Sequence, residues 1–198
     1  MYTLRFDGLF MELSGSGSQR SLGGIMSYGW LIFRRDRLVA QGHGAFARGR
    51  DASSNVAEYL ALIEGLDALS DLCVDNELVK VFGDAKTVID QMKGQATVNS
   101  EAMWPFYLRA KRLAGRFLNL RWIWTPRKNN KAADRLTRRA VQQIQTDRDS
   151  LEAVLGSLAK PKANPGHNRK LHLLMDLRVY QPSGANKGLG DRLQHLPQ

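Results

Sequence analysis

The order in which hydrophobic periodicities follow one another is what most limits the folds open to this chain. It begins with period two: Tyr2, Leu4 and Phe6 alternate with Thr3, Arg5 and Asp7, the pattern of a strand ending near Asp7. A Gly/Ser-rich stretch from Ser14 to Gly24, containing SGSGS, reads as a flexible loop. Two further strand-like runs, Tyr28 to Arg35 and Arg37 to Phe46, flank Asp36 and read as a hairpin. From there the pattern changes. Ser53, Ser54 and Asn55 offer N-cap chemistry to a helix reaching about Asp71. Glu77 to Gly83 is a short β-branched and aromatic strand, and Asp84 opens a helix that Gly94 ends. A helix over about Ser100 to Gly115, an aromatic strand from Phe117 to Thr125 and a helix over roughly Asn130 to Thr146 complete the series. The order is β-β-β-α-β-α-α-β-α. Strands joined by short turns pair antiparallel, whereas strands reached through a helix add in parallel. The expectation is an α/β fold: a five-stranded mixed sheet, its first three strands antiparallel, flanked by helices.

Past Asp147 the character shifts. Pro161, Pro165, Pro182 and five glycines interrupt two short apolar runs, and fifty residues of this kind rarely support a core of their own. The chain therefore divides into a domain over 1–147 and a basic Pro/Gly-containing extension over 148–198, expected to be partly disordered. Its run Leu171 to Tyr180 can dock on the domain as a strand or short helix.

Charge narrows the partner. Twenty-nine Lys and Arg against nineteen Asp and Glu leave a net +10, which favours a polyanion, nucleic acid first and an anionic membrane surface second. Cys73 is the single cysteine, so an internal disulfide and a thiolate metal site are both excluded. It follows Leu72 in an apolar stretch and reads as a small core residue. A reduced, cytoplasmic setting is expected. The chain opens directly on strand-like residues rather than on a signal peptide, and nothing approaches the apolar length of a membrane span.

Four acids stand out by position. Asp7 is followed by Gly8, which by itself describes a turn. Glu58 shares a helical stripe with Leu62, Gly65 and Leu69, where a carboxylate is costly unless paired; a partly exposed first turn is the plain alternative. Asp84 follows a strand and can be a simple N-cap. Asp134 lies early in the last helix, where it suits the helix dipole. Each plain reading holds for one acid taken alone. Together they place two acids at strand ends and two in first helical turns, and in open α/β sheets those points converge on one edge. Carboxylates gathered there raise one another's pKa unless cations neutralise them. Hard oxygen ligands without thiolates or a histidine cluster point to Mg²⁺ or Mn²⁺, and paired ions can activate a water and stabilise the leaving oxygen of a phosphodiester.

The frames around these acids carry a resemblance. Asp7-Gly8, Gly23-Gly24-Ile25-Met26-Ser27-Tyr28-Gly29, Asn55-Val56-Ala57-Glu58-Tyr59-Leu60-Ala61-Leu62, Gly83-Asp84-Ala85 and Pro126-Arg127…Asn130…Ala132-Ala133-Asp134-Arg135-Leu136 resemble the type 1 ribonuclease H family, from about Tyr2 to Ala140. The Gly-Gly-Ile segment looks most like its short archaeal and bacterial branch. The resemblance implies a ribonuclease H-like fold and an endoribonuclease that hydrolyses the RNA strand of RNA–DNA hybrids. It also implies two metal ions held by Asp7, Glu58, Asp84 and Asp134, and 5′-phosphate and 3′-hydroxyl ends. By the same resemblance, Glu58 and the backbone near Gly8 face the ribose 2′-hydroxyl. Ser54 and Asn55 fall at the hybrid minor groove, and Ser53 and Asn99 at a DNA-strand phosphate. Arg127 and Asn130 are further candidate substrate contacts. A monomer acting on a hybrid, without membrane or small-molecule cofactor, is expected.

Three departures bear on activity. Ala85 stands where the family commonly has Ser. None of the histidines (43, 167, 172, 195) falls in the Trp124-Thr125-Pro126-Arg127 stretch, where many members carry a catalytic one. The connection after the Asp84 helix leaves no room for the extra basic helix some relatives use. These departures keep a second reading open, a catalytically weak nucleic-acid-binding module of the same fold. An exonuclease or transposase of this superfold is a third, disfavoured by the Asn55–Leu62 and Asn130/Asp134 frames.

Overall fold

The computed structural model describes residues 1–14, 21–49, 51–147 and 170–181, together with residues 149, 152, 153 and 156. Residues 15–20 of the Gly/Ser-rich stretch and the prolines of the C-terminal extension lie outside the described residues, while Ser14 and Ser21 to Gly24, expected as loop, belong to strands. Strands β1 (Tyr2–Ser14), β2 (Ser21–Arg34) and β3 (Arg37–Arg48) are followed by α1 (Ser54–Asp71), β4 (Leu78–Gly83), α2 (Lys86–Lys93), α3 (Trp104–Ala114) and β5 (Asn119–Trp124). A 3-10 turn at Arg127–Asn129, α4 (Lys131–Thr146) and β6 (His172–Tyr180) complete the series. The sheet order is β5-β4-β1-β2-β3-β6. β1 pairs antiparallel with β2, and β2 with β3, while β1/β4 and β4/β5 are parallel, as short turns and helical crossovers require.

The sheet has six strands rather than the expected five. The apolar run in the C-terminal extension adds antiparallel to the free edge of β3, from Ala47↔His172 to Ala40↔Tyr180. A sheet edge exposes unpaired N–H and C=O groups, and here the chain covers its own. Arg178 of β6 then meets Glu64 Oε2 at 2.6 Å and Asp67 Oδ2 at 3.1 Å, while Tyr180 donates to Asp71 at 2.7 Å. These three acids recur along α1 at helical spacing.

Asp7 is not at the end of its strand. Asp7↔Gly29 and Gly8↔Tyr28 are ordinary rungs, and pairing with β2 continues to Ser14. What ends at this height is the parallel neighbour, whose last rung with β1 is Arg5↔Phe82. Asp7 thus lies just beyond the end of β4, at an edge made by its neighbour.

α1 is buried nearly all round, Val56 to Leu66 without a break, because the sheet lies on one side and α2 and α3 pack about it. Ser53 caps it, accepting from the Val56 N–H at 3.3 Å. α4 covers the other sheet face, where Ala133 and Leu136 meet Leu31. α2 ends at Gly94 with φ 75°, the left-handed cap that glycine adopts without strain. Cys73 is exposed, with φ 53°, instead of lying in the core. α1 has already ended, and the chain turns outward through it. Among the described residues no helix is long and apolar enough to cross a membrane.

Candidate active site

Three carboxylates from three distant segments meet at the end of β4. Asp7 comes from β1, Glu58 from α1 and Asp84 from the bend after β4; one oxygen of each lies within 4.8 Å of the others. Gly8 makes the approach possible. A Cβ there would stand 2.3 Å from Glu58 N and from Ala57 C, so only glycine lets the backbone of α1 close against β1. The Gly8 N–H in turn donates to the Glu58 carboxylate. Gly8 is therefore turned toward α1. Glu58 is the fifth residue of its helix and outside the first turn, since Ser53 is the cap. Its side chain leans toward the N-terminus, as helical side chains do, and that brings it under Asp7.

Burial sets the electrostatics. Asp7 is 2% exposed and Glu58 8%. Burial, then the charges of Asp84 and Asp134, pushes Asp7 up to about 7. Burial, then Asp7 and Asp84, holds Glu58 well above the usual carboxylate range. Glu58 Oε2 has no hydrogen-bond partner although it is buried. A buried carboxylate oxygen without a partner, flanked by two more carboxylates, is costly unless a cation completes the set. All-oxygen donors at this spacing suit a hard divalent ion.

Asp84 is not a helix cap. Ala85 occupies that position without a side-chain bond and α2 starts at Lys86. Asp84 instead accepts from Asn130 Nδ2 at 3.2 Å, while its backbone carbonyl accepts from Trp124 Nε1 at 3.0 Å. Asn130, expected from the sequence as a substrate contact, is 1% exposed. The same amide also donates to the Phe6 carbonyl at 2.8 Å, so it ties β1 to the Asp84 bend from inside and has no free surface for substrate.

Asp134 stands apart from the compact trio. Arg138 Nε and Arg127 NH2 each approach it at 2.8 Å. Hydrogen bonding by Arg138 first, and then by Arg127, holds its pKa below the ordinary value despite partial burial. Four mutually raised acids were expected; here three crowd together and the fourth is already neutralised by arginines. Thr137, one turn past Asp134, links the two groups. Its hydroxyl lies 3.2 Å from Asp7 Oδ2 and 2.8 Å from the Asp134 carbonyl. Sequence reasoning passed over Thr137, Arg138 and Trp124. The i,i+3 and i,i+4 spacings from Asp134 were the available signal for the first two.

The remaining candidates lie on the outer side. Ser54 and Asn55 are exposed at the start of α1, Asn99 is exposed in the α2–α3 connection and Arg127 is exposed beside Asp134. Ser53 spends its acceptor on the cap and keeps its hydroxyl proton for another partner.

Known proteins resemble this chain in sequence and in fold. A family model described as "Reverse transcriptase-like" matches residues 15–140; that stretch holds Glu58, Asp84 and Asp134, with Asp7 ahead of it. Bifunctional protein Rv2228c of Mycobacterium tuberculosis (strain ATCC 25618 / H37Rv) is 33% identical over 129 residues, 65% of this chain and 35% of that protein. Ribonuclease HI of Halobacterium salinarum (strain ATCC 700922 / JCM 11081 / NRC-1) is 31% identical over 126 residues, 63% of this chain and 61% of that one. The solved N-terminal RNase H domain of Rv2228c, fused to maltose binding protein, superposes with a TM-score of 0.61 at 29% identity, over 74% of this chain and 97% of that one. The match thus spans about a third of the full mycobacterial relative. Because the family model spans residues 15–140, more than half of the chain, the chain belongs to the reverse-transcriptase-like family of ribonuclease H-type domains.

Proposed function

We propose that this chain is an endoribonuclease that hydrolyses the RNA strand of RNA–DNA hybrids, leaving 5′-phosphate and 3′-hydroxyl ends. The observation that carries the reading is the meeting of Asp7, Glu58 and Asp84 within 4.8 Å, with one Glu58 oxygen buried and unpartnered. Asp7, Glu58 and Asp84 would hold Mg²⁺, or Mn²⁺ in its place, with Asp134 as the outer ligand. Paired ions at such a site activate a water and stabilise the leaving oxygen of a phosphodiester.

The chain's own residues do the rest. Asn130 fixes the Asp84 carboxylate relative to β1, Thr137 fixes Asp7 relative to α4, and Gly8 with Ser53 sets the height of Glu58. Arg127 and Arg138 share Asp134. An incoming phosphate, which arginine pairs with bidentately, can draw one of them away and free a carboxylate oxygen. Ser54 and Asn55 present polar groups beside Glu58, on the side from which a ribose 2′-hydroxyl can be read.

The two arginines on Asp134 are also what favours the second reading, a nucleic-acid-binding module of low activity, because they compete with a cation for that carboxylate. One experiment separates the two. Labelled RNA–DNA hybrid, duplex RNA and duplex DNA are each incubated with the protein in Mg²⁺, Mn²⁺ or EDTA. Cutting of hybrid alone, lost in EDTA and blocked by 2′-O-methyl groups at the scissile position, is expected. Hybrid that is bound and never cut would establish the binding module instead.

A further inference from the structure

The helices do not cover the sheet evenly. α1, α2 and α3 share the core on the face of Val79 and Val81, and α4 packs on β1, β2 and β3 of the opposite face. On that opposite face β4 and β5 are left open, and their outward residues are Lys80 and Phe82 on β4 and Arg121 and Ile123 on β5. Register places them in two rows, Phe33–Thr3–Lys80–Arg121 and Leu31–Arg5–Phe82–Ile123.

A cleft of about 300 Å³ opens there, lined by Thr3, Arg5, Phe33, Arg35, Lys80 and Phe82, with Asp36 as the one acid on its wall. On this rim the β2–β3 turn supplies Arg35, whereas Arg34 and Arg37 pair on the rung of Tyr2 and face the other side of the sheet. Among the described residues, Arg35, Lys80 and Arg121 form no ion pair. Arg5 lies over the Phe82 ring at 4.7 Å and donates to the Asn129 carbonyl at 3.0 Å. The cleft therefore abuts the turn that carries Arg127.

We propose that this open, basic sheet face, with Lys80, Arg121 and Arg35 as its phosphate contacts, is a second nucleic-acid surface that takes a single strand. A cleft of this size admits one nucleotide-sized group and is too small for a double helix. Lys80 and Arg35 beside the half-buried Phe33 and Phe82 combine charge for a phosphate backbone with apolar surface for an unstacked base. The surface is separate from Ser53, Ser54 and Asn55, where the hybrid is placed above.

The test is binding of a fluorescein-labelled oligothymidylate in EDTA. It requires no cleavage and so stands apart from the nuclease reading. Lys80→Glu with Arg121→Glu should weaken binding by roughly tenfold and lower the slope of log K against log salt by about 1.4, the share of two phosphates on a single strand. Blunt hybrid should be cut at a rate within about twofold of the native protein, as expected for residues outside its binding surface. Lys80→Gln with Arg121→Gln, a milder change at the same positions, serves if the double Glu variant melts early, and should show a smaller loss of the same kind. Lys111→Glu with Arg112→Glu on α3 should leave oligothymidylate binding as it was. Unchanged affinity and slope in the Lys80/Arg121 pairs would overturn the proposal. So would an equal loss from the α3 pair, or binding to anionic phospholipid vesicles without binding to the oligonucleotide.

Discussion

Asp7 carries both a chemical and a thermodynamic signature. Its carboxyl is pushed from 3.8 to about 7 by burial and by its acidic neighbours, so the folded chain keeps a proton that the unfolded chain releases near pH 4. Stability from this group is therefore greatest below pH 4 and falls as pH rises toward 7. Asp7→Asn should remove that loss: in EDTA at pH 8 the variant should melt at least ~2 °C higher than the native protein, with the two converging near pH 4. The same variant should lose at least ~1,000-fold in hybrid cleavage, and normal turnover in Mg²⁺ would remove Asp7 from the site. Thr137 is the neighbouring test. Its buried hydroxyl lies 3.2 Å from Asp7 Oδ2, and a hydrogen bond to this carboxylate once a bound cation keeps it ionised is worth about 1.5–3 kcal/mol. Thr137→Val should cut kcat by roughly tenfold and raise the Mg²⁺ concentration for half-maximal rate, with KM for hybrid unchanged. Thr137→Ser should recover most of the rate. A Val variant with native metal dependence would make Thr137 a packing residue only.

At the scale of elements, α1 is bound from two sides by unlike means. β1 reaches it through the Gly8 contact, which needs the absence of a side chain. β6 reaches it through Arg178, which spans Glu64, Asp67 and Asp71. Burial raises the Glu64 pKa and Arg178 opposes that rise. Removing one partner of such a pair leaves the other charge uncompensated. Arg178→Met should then cost about 2–4 kcal/mol in urea unfolding, and Glu64→Gln in the same chain should restore part of it. Additive losses from the two changes would show that the pair is not coupled. The element order was legible in the sequence because period two and period 3.6 are local signals. So were the limits of α1 and α4, set by Ser53 and by the residues after Pro126. The reach of β1 was not, because Asp7-Gly8 has the local form of a turn, and only pairing with β2 carries the strand through it.

For the whole molecule, the C-terminal extension is where composition and structure part. Its prolines and glycines point to disorder, yet Leu171 to Tyr180 includes a nine-residue strand that closes the β3 edge. The chain truncated after Asp147 should therefore melt lower than the full protein, because β3 regains an open edge and Glu64 loses its cation. Glu64→Gln in the truncated chain should recover part of the difference. Equal melting temperatures for full and truncated chains would mean that β6 adds nothing to the fold. The sequence alone determined the order of elements, the excess of positive charge and the four acids, since each is read from neighbours within a few positions. Only the tertiary structure decided that Asp7, Glu58 and Asp84 form one cluster while Asp134 is held by arginines, that Asn130 faces inward and that a sixth strand exists. The reason is distance along the chain. Asn130 meets Phe6 across 124 residues, Thr137 meets Asp7 across 130 and Arg178 meets Glu64 across 114, and no local pattern records a contact that the closing of the sheet creates.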